Sequence, residues 1–455
     1  MMGRTLAKET PKKIGKKVNL CGWVDRRRDH GKLVFIDLKD RSGVVQIVGK
    51  EKLGKLRISD VIEIRGTVRK RPKDLINPKL ATGKVEVKVE KIGILAKSED
   101  LPFDIRSDGY QIGEETRLKY RYLDLRRSRL VKNLELRHQV ANFVRKWLSD
   151  KGFIEIETPY ISKATPEGSR DFLVPSRLQP GKFYALPQAP QQYKQLLMVA
   201  GFEKYFQIAR VFRDEDPRAD RAYGEYTQID IEMSFVSQDE ILELVESMLT
   251  DVSEKVVGKK IYKKPFPRVA YAEAIKKYGD DRFDMRKKEN ADALAFAWVV
   301  DFPLFEKTET KEISPSHNPF TAPKDKDIPL LDKNPLKVRS WQHDLVCNGY
   351  EVAGGAIRIT DPELQAKVFK ILGHSPKEIK RKFGHLLKAF KYGVPPHGGI
   401  ALSLERLMMV FTDEKNTREV TAFPMTSGGQ TSVMDAPSEV DEEQLKELKI
   451  KIVKK

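Results

Sequence analysis

Five short apolar runs open the chain, near residues 18–25, 33–39, 44–48, 60–69 and 84–92, with Gly, Asp and Asn between them. This spacing predicts five short strands. In LVFIDL, Val34, Ile36 and Leu38 alternate as the core face, which leaves Phe35 on the outer face beside Asp37. Over 101–130 the pattern breaks into mixed Pro, Gly and charges, as in a linker, before helical spacing begins. Residues 128–151 carry Leu130, Leu134, Val140, Phe143, Val144, Trp147 and Leu148 at helical spacing and close on Gly152; a strand over 153–156 follows. Residues 205–235 read as two strands framing a charged loop. Gln207, Arg213 and Glu215 share one face of the first, and Gln228, Asp230 and Glu232 share one face of the second. One Arg among amides and carboxylates suits a polar, highly charged ligand.

Further on, DLVCNGYEVAGGAIRIT reads as a hairpin about Asn348-Gly349. A two-residue turn pairs Val346 with Glu351 and leaves Asp344 on the Glu351 face, one diagonal away. Two carboxylates so placed could hold a hard divalent cation such as Mg2+. Simple alternation puts Arg358 opposite Glu351, so the two could line one site only if a bulge near Gly354-Gly355 corrects the phase. HGGIALSLERLMMVF is a glycine-led strand running into a helix.

A length of 455 residues calls for two or three domains. The pattern divides the chain at 1–100, 101–130 and 131–455. A net charge of +18 favours a polyanionic partner. The cysteines, Cys21 and Cys347, give no zinc or disulfide spacing, so a reducing cytoplasm is the expected compartment. No signal peptide or membrane-spanning run is legible. With Arg26-Arg27-Arg28 beside them, the five strands fit an OB-fold. Phe35 is then either a stacking platform for an unpaired base or a ring under a loop.

The stretch LCGWVDRRRDHGKLVFIDLKDRSGVVQIV resembles the anticodon-binding domain of class II aminoacyl-tRNA synthetases of aspartyl type. FRDED…R…EYTQID resembles motif 2 of the same family, although RAYGEY makes its loop one residue longer. Residues 128–156 resemble motif 1, whose family role is the homodimer interface, and HGGIALSLERLMMVF resembles motif 3, with Ser403 and Glu405 departing from Gly and Asp. LKYRYLDLRR resembles the block joining the two domains. SPSHNPFTAP resembles the HHPFT block, with Asn318 replacing the second His. After PFPRVAYAEA only a short bridge precedes AFAWVVDFPLFE, so the family's bacterial insertion domain is absent.

The resemblance implies an α+β chain: a five-stranded OB-fold barrel, then a class II antiparallel sheet flanked by helices. It implies that Arg28, His30, Phe35, Gln46 and Glu86 meet the anticodon. Glu167, in a polar loop with Gly168 and Ser169, would bind the amino acid with Gln191, Lys194, Asp230, His317 and Arg358. Arg213, Glu215, Gln228, Glu351 and Arg406 would handle ATP, with Mg2+ on Asp344 and Glu351. In this family His at position 30 goes with charging both tRNA(Asp) and tRNA(Asn), and Leu with charging tRNA(Asp) alone. The first habit implies an amidotransferase that finishes asparaginyl-tRNA. Asparaginyl and lysyl enzymes of the subclass are the nearest rivals, and a catalytically inactive RNA-binding paralogue is the rival of another class. Lys194 and Arg358, two cations facing one side chain, favour a carboxylate over an amide or ammonium.

Overall fold

The computed structural model describes residues 3–164, 168–216, 218–221, 223–308 and 312–453, without the side chains of Glu51 and Lys52. Two units divide at Asp104/Ile105.

In the first unit, β1 (Lys17–His30), β2 (Leu33–Asp40), β3 (Gly43–Gly49), β4 (Val61–Lys70) and β5 (Val85–Ala96) close a barrel in the order β1-β2-β3-β5-β4. Leu20, Ile36, Ile47, Ile64 and Val87 fill it. The alternation that predicted the strands is therefore the inward face of the barrel. β1 runs further than its apolar part. A bulge between Val24 and Arg26 makes Asp25 the extra residue, and the strand continues to pair Arg28 with Phe35 and His30 with Leu33. Asp29 and His30 thus end the strand, and the turn is Gly31-Lys32.

The second unit begins with α1 (Glu114–Lys119), α2 (Arg121–Asp124), α3 (Ser128–Asp150), β6 (Ile154–Glu155), β7 (Leu173–Pro175), β8 (Phe183–Ala185) and α4 (Gln191–Val199). It continues through β9 (Lys204–Arg213), β10 (Gly224–Ser234), α5 (Gln238–Val252), β11 (Arg268–Ala270), α6 (Tyr271–Tyr278) and β12 (Phe296–Val300). Then come β13 (Phe305–Lys307), β14 (Ile313–Pro315), α7 (Leu330–Lys333), β15 (Gln342–Cys347), β16 (Tyr350–Ile357), α8 (Pro362–Ile371) and α9 (Pro376–Phe390). β17 (His397–Ser403), α10 (Leu404–Thr412) and α11 (Glu442–Leu448) complete it.

Eight strands form one sheet in the order β11-β12-β15-β16-β17-β10-β9-β6. Its inner pairs are antiparallel as expected, but β11–β12 and β6–β9 are parallel. The reason is connectivity: α6 lies between β11 and β12 in the chain, α4 lies between β6 and β9, and a parallel pair requires such a crossover. One face packs Ile229, Ile231, Ile400 and Leu402 against Val144, Leu148, Val245 and Met408 of the helices. The other face turns Gln207, Gln228, Asp230 and Glu232 toward α4. The pocket forms there.

Most of the segment expected as a hinge is built into this unit. Arg117 donates to Asp124 at 3.0 Å and to Glu419 at 2.7 Å, and Arg121 and Arg127 also converge on Asp124. Arg117, Arg121, Asp124 and Arg127 are all buried, so their charges are satisfied by one another and by Glu419. The composition looked like a linker because the distant partner, Glu419, lies about three hundred residues away in sequence.

Candidate active site

The pocket opens on the polar face of the sheet and is lined by Gln191 and Lys194 of α4, Arg213 of β9 and Glu215 just beyond it. Gln228 and Asp230 of β10, His317, Glu351, Arg358 and Arg406 line it as well. Residues far apart in sequence are thus brought to one wall. Glu167 lies outside the described residues.

At the deep end, Lys194 Nζ sits 3.0 Å from Asp230 and 3.1 Å from Glu232. Arg358 donates to Glu232 through Nε at 3.0 Å and Nη2 at 3.3 Å. All four side chains are buried. Burial pushes the Asp230 carboxyl up to about 6, against the pull of Lys194. Burial acts the same way on Glu232, but Arg358 and Lys194 together overcome it and hold Glu232 at about 2. Glu232 is the residue sequence reasoning left without a role. Alternation placed it on the polar face, and only the fold shows that it fixes both cations. Arg358 Nη1 is buried with no hydrogen-bond partner among the described residues, a donor aimed at something the chain does not supply. Gln191 donates to Gln195, whose Nε2 lies 3.2 Å from His397 Nε2. His317 is half-buried beside Arg358, and desolvation together with the nearby positive charge holds it in the neutral form. Asn318 turns away from any paired-His role: its Oδ1 accepts from the Phe320 N–H at 3.0 Å and caps the local turn.

At the outer end, Arg213 lies over the Tyr226 ring at 5.3 Å, and its Nε approaches the Gln188 carbonyl at 3.4 Å. Gln228 donates to the Tyr226 hydroxyl, and its own carbonyl is a buried acceptor without a partner among the described residues. Glu215 accepts from Ser169 and pairs with Arg221. Arg406 reaches the Glu351 carbonyl at 2.8 Å and the Asp220 carbonyl at 3.0 Å. Its two neighbours that depart from the family pattern have structural work. Ser403 caps α10 by accepting from the Arg406 N–H, and buried Glu405 accepts from Arg137 at 2.7 Å and from the Thr227 N–H at 3.0 Å.

The β15–β16 hairpin turns through Asn348 and Gly349, both at positive φ, as the Asn-Gly signal requires. The bulge is present but lies earlier than expected. Val346 pairs with Glu351 and Leu345 with Ala353, which makes Val352 the extra residue. Asp344 consequently lies directly opposite Gly354, and Glu351, Gly354 and Arg358 share one face. Gly354 and Gly355 serve close packing instead. A Cβ at Gly354 would meet Asp344 Oδ1 at 3.0 Å, and one at Gly355 would meet the Gly399 carbonyl at 2.2 Å.

The acids near this hairpin fit a hard cation. Asp344 Oδ2 accepts from Gln342 at 2.9 Å, whereas its Oδ1 is buried without a hydrogen-bond partner among the described residues. Burial, then the neighbouring Glu351 charge, drive the Asp344 carboxyl well above the carboxylate range. Two carboxylates and no third His, Cys, Asp or Glu ligand among the described residues suit an ion that keeps waters and substrate phosphates in its shell.

On the barrel, one outer face carries a chain of hydrogen bonds. Arg28 donates to Asp37 at 2.7 Å and to Gln46 at 3.3 Å, Gln46 donates to Glu86 at 2.7 Å, and Arg69 donates to Glu86 at 2.8 Å. Phe35 stands half-buried on the same face, with exposed His30 edge-on to it at 5.8 Å. Arg69 was missed in the sequence. Its signal was the cross-strand pairing with Glu86, which only the closed barrel shows.

A class II aminoacyl-tRNA synthetase is what this sheet and pocket define, and the chain belongs to that family. It matches tRNA synthetases class II (D, K and N) over residues 113–427 and the OB-fold nucleic acid binding domain over residues 18–95. A solved asparaginyl-tRNA synthetase from Pyrococcus horikoshii, complexed with asparaginyl-adenylate, has the same fold, with a TM-score of 0.75 at 24% identity over 94% of this chain and 99% of that one. Within the class, the chain is a member of the aspartate–tRNA ligase group. It is 40% identical to the aspartate–tRNA(Asp/Asn) ligase of Rubrobacter xylanophilus (96% of this chain, 95% of that protein). It is 42% identical to that of Caldanaerobacter subterraneus subsp. tengcongensis (97% and 96%). These alignments run over 571 and 574 positions against the 455 residues here, so the relatives carry segments with no counterpart in this chain. Between α6 and β12 the chain has only the short bridge 279–295, tied to the hairpin where the Gly349 N–H donates to the Phe283 carbonyl.

Proposed function

We propose that the protein joins L-aspartate to ATP and passes the aspartyl group to tRNA(Asp) and tRNA(Asn). The observation that carries the choice of amino acid is Arg358. Its buried Nη1, without a partner among the described residues, stands with Lys194 on Glu232 and offers positive charge to a side-chain carboxylate. An ammonium would meet like charge there, and an amide would bring no counter-charge and turn its NH2 donors toward other donors. That weighs against the lysyl and asparaginyl readings.

In the first step an aspartate α-carboxylate oxygen attacks the α-phosphorus in line, and the bond to the β-phosphate oxygen breaks, releasing pyrophosphate. Arg213 offsets charge on the phosphoryl oxygens, and Arg406 holds the far phosphate. Glu215 and Gln228 position the nucleotide, while Gln191, Asp230 and His317 position the amino acid. Asp344 and Glu351 would hold Mg2+, which supplies charge neutralisation along the phosphates. In the second step a hydroxyl of the terminal ribose attacks the adenylate carbonyl, and AMP leaves. Arg213, Glu351 and Arg406 all face the pocket, which weighs against an inactive RNA-binding paralogue.

The barrel face Arg28–Gln46–Glu86 reads the anticodon, Phe35 stacks on a base, and His30, able to donate or accept, tolerates either third base. Both relatives described carry the (Asp/Asn) name, which supports this part of the reading. Aspartyl-tRNA(Asn) then needs an amidotransferase to become asparaginyl-tRNA. We place the enzyme in the cytoplasm as a homodimer. Supporting the dimer is α3 leading into the edge strand β6, whose Ile154 is half exposed. No helix among the described residues is long and apolar enough to cross a membrane. Aspartylation assays with the two purified tRNA transcripts test the proposal. Both should be charged, and background incorporation into tRNA(Asn) beside normal charging of tRNA(Asp) would end the dual specificity.

A further inference from the structure

Helix α9 has no free apolar side. Ile379, Phe383, Leu386 and Phe390 are buried against Phe320, Phe369 and, from α4, Leu196 and Val199. Its other side is a row of cations: Lys377, Lys380, Arg381, Lys388 and the C-cap residue Lys391 are exposed. At 100° per residue, positions 377, 381, 388 and 391 fall within one narrow arc, with Lys380 at its edge. The stripe runs about 21 Å along the surface.

Local helix stability does not account for this row. Lys388 and Lys391 suit the C-terminal end of the dipole, but Lys377 stands in the first turn, where positive charge is unfavourable, and Lys380 and Arg381 gain nothing from the dipole in the second. The one acid of the helix, Glu378, is engaged by its own N-cap Ser375 and by Lys382 at 4.0 Å. Among the described residues no ion pair joins the five cations of the stripe. Gly384 lies at the middle of the arc. A Cβ there would meet only Lys380 Cγ, at an ordinary 3.7 Å, so the protein's own packing does not demand glycine in a place where glycine weakens a helix. A flat centre lets another backbone approach closely.

α9 also backs the active site. Its apolar side packs on α4, which presents Gln191 and Lys194 to the pocket, and Lys163 donates to the Arg381 carbonyl. We propose that the outer face of α9 is a second binding surface for tRNA, holding phosphates of the duplex next to the 3′ end as that end enters the pocket. The inference rests on the tRNA-charging reading above. A membrane surface is disfavoured because the apolar side that would insert is already spent on the core.

The test uses the full chain and measures tRNA affinity against NaCl concentration for wild type and for K377Q/K380Q/R381Q/K388Q. The neutral variant should bind on the order of tenfold more weakly, and its log–log salt slope should fall by about 0.7–0.9 for each phosphate that is no longer neutralised. Aspartate-dependent ATP–pyrophosphate exchange should not change. K377R/K380R/K388R should bind as wild type does. Where lost exchange reveals a damaged fold, Gly384→Glu, which puts a carboxylate mid-stripe, replaces the neutral variant and should weaken binding alike. Unchanged affinity and slope overturn the proposal, as does an equal loss in the charge-keeping variant. Wild-type binding to phosphatidylserine vesicles that the neutral variant loses, with tRNA affinity untouched, also overturns it. A wild-type chain without aspartate-dependent exchange would sink the functional reading and leave this comparison intact.

Discussion

Arg358 and Glu232 meet through two hydrogen bonds, Nε at 3.0 Å and Nη2 at 3.3 Å, with neither side chain open to solvent. Glu232 also accepts the Lys194 charge at 3.1 Å, so one buried acid fixes the spacing of the two cations that face the amino acid. A preorganised pair of this kind costs nothing to arrange when the substrate arrives.

Replacing Lys194 with Met should raise the KM for aspartate far more than that for ATP. The change also leaves Asp230 and Glu232 short of one counter-charge, so stability should drop by about 3–5 kcal/mol. Exchange kinetics and urea denaturation report the two effects. Unchanged dependence on aspartate would show that Lys194 serves the fold alone.

Arg213→Ala should lower adenylate formation by about 10²–10³ while tRNA binding stays nearly intact, since the lost donor acts on charge that develops in the transition state. An equal fall in tRNA affinity would make this Arg structural.

Asp230 sets a pH dependence. Its carboxyl is raised by burial to about 6 from an ordinary 3.8, so between these values the folded protein keeps a proton that the unfolded chain has given up. Stability from this group therefore falls as pH rises through that window. Asp230→Asn removes the effect, and its stability relative to wild type should be better at pH 7 than at pH 4.5 by on the order of 1–3 kcal/mol. Denaturation at the two pH values checks it, and a difference independent of pH would contradict it.

Much of this architecture was legible in the chain, and the exceptions have physical causes. Alternation in LVFIDL marked Val34, Ile36 and Leu38 as core and Phe35 as outward, and burial follows that pattern. The charged half of β1 was not legible, because Arg26 to His30 pair across a ribbon without an apolar face to show it. The need for a bulge in β16 was readable from the phase of Glu351 and Arg358. Its place at Val352 depends on pairing with β15, which no local pattern encodes. The partners of Arg117 and Arg121 were hidden in the same way, since they lie near residue 419.

Phe35→Ala should weaken tRNA binding by about 1–3 kcal/mol, the worth of one stacked base, without touching exchange. Because the ring is only half-buried, the barrel should stay folded; unfolding would assign it to the core. His30→Leu should lower the charging rate of tRNA(Asn) selectively.

The most direct measurement is ATP–pyrophosphate exchange by the purified chain with aspartate, asparagine or lysine supplied singly. Lys194 and Arg358, held apart by Glu232, predict exchange with aspartate and background with the other two. Exchange driven by asparagine or lysine, or none with any of the three, would contradict the account.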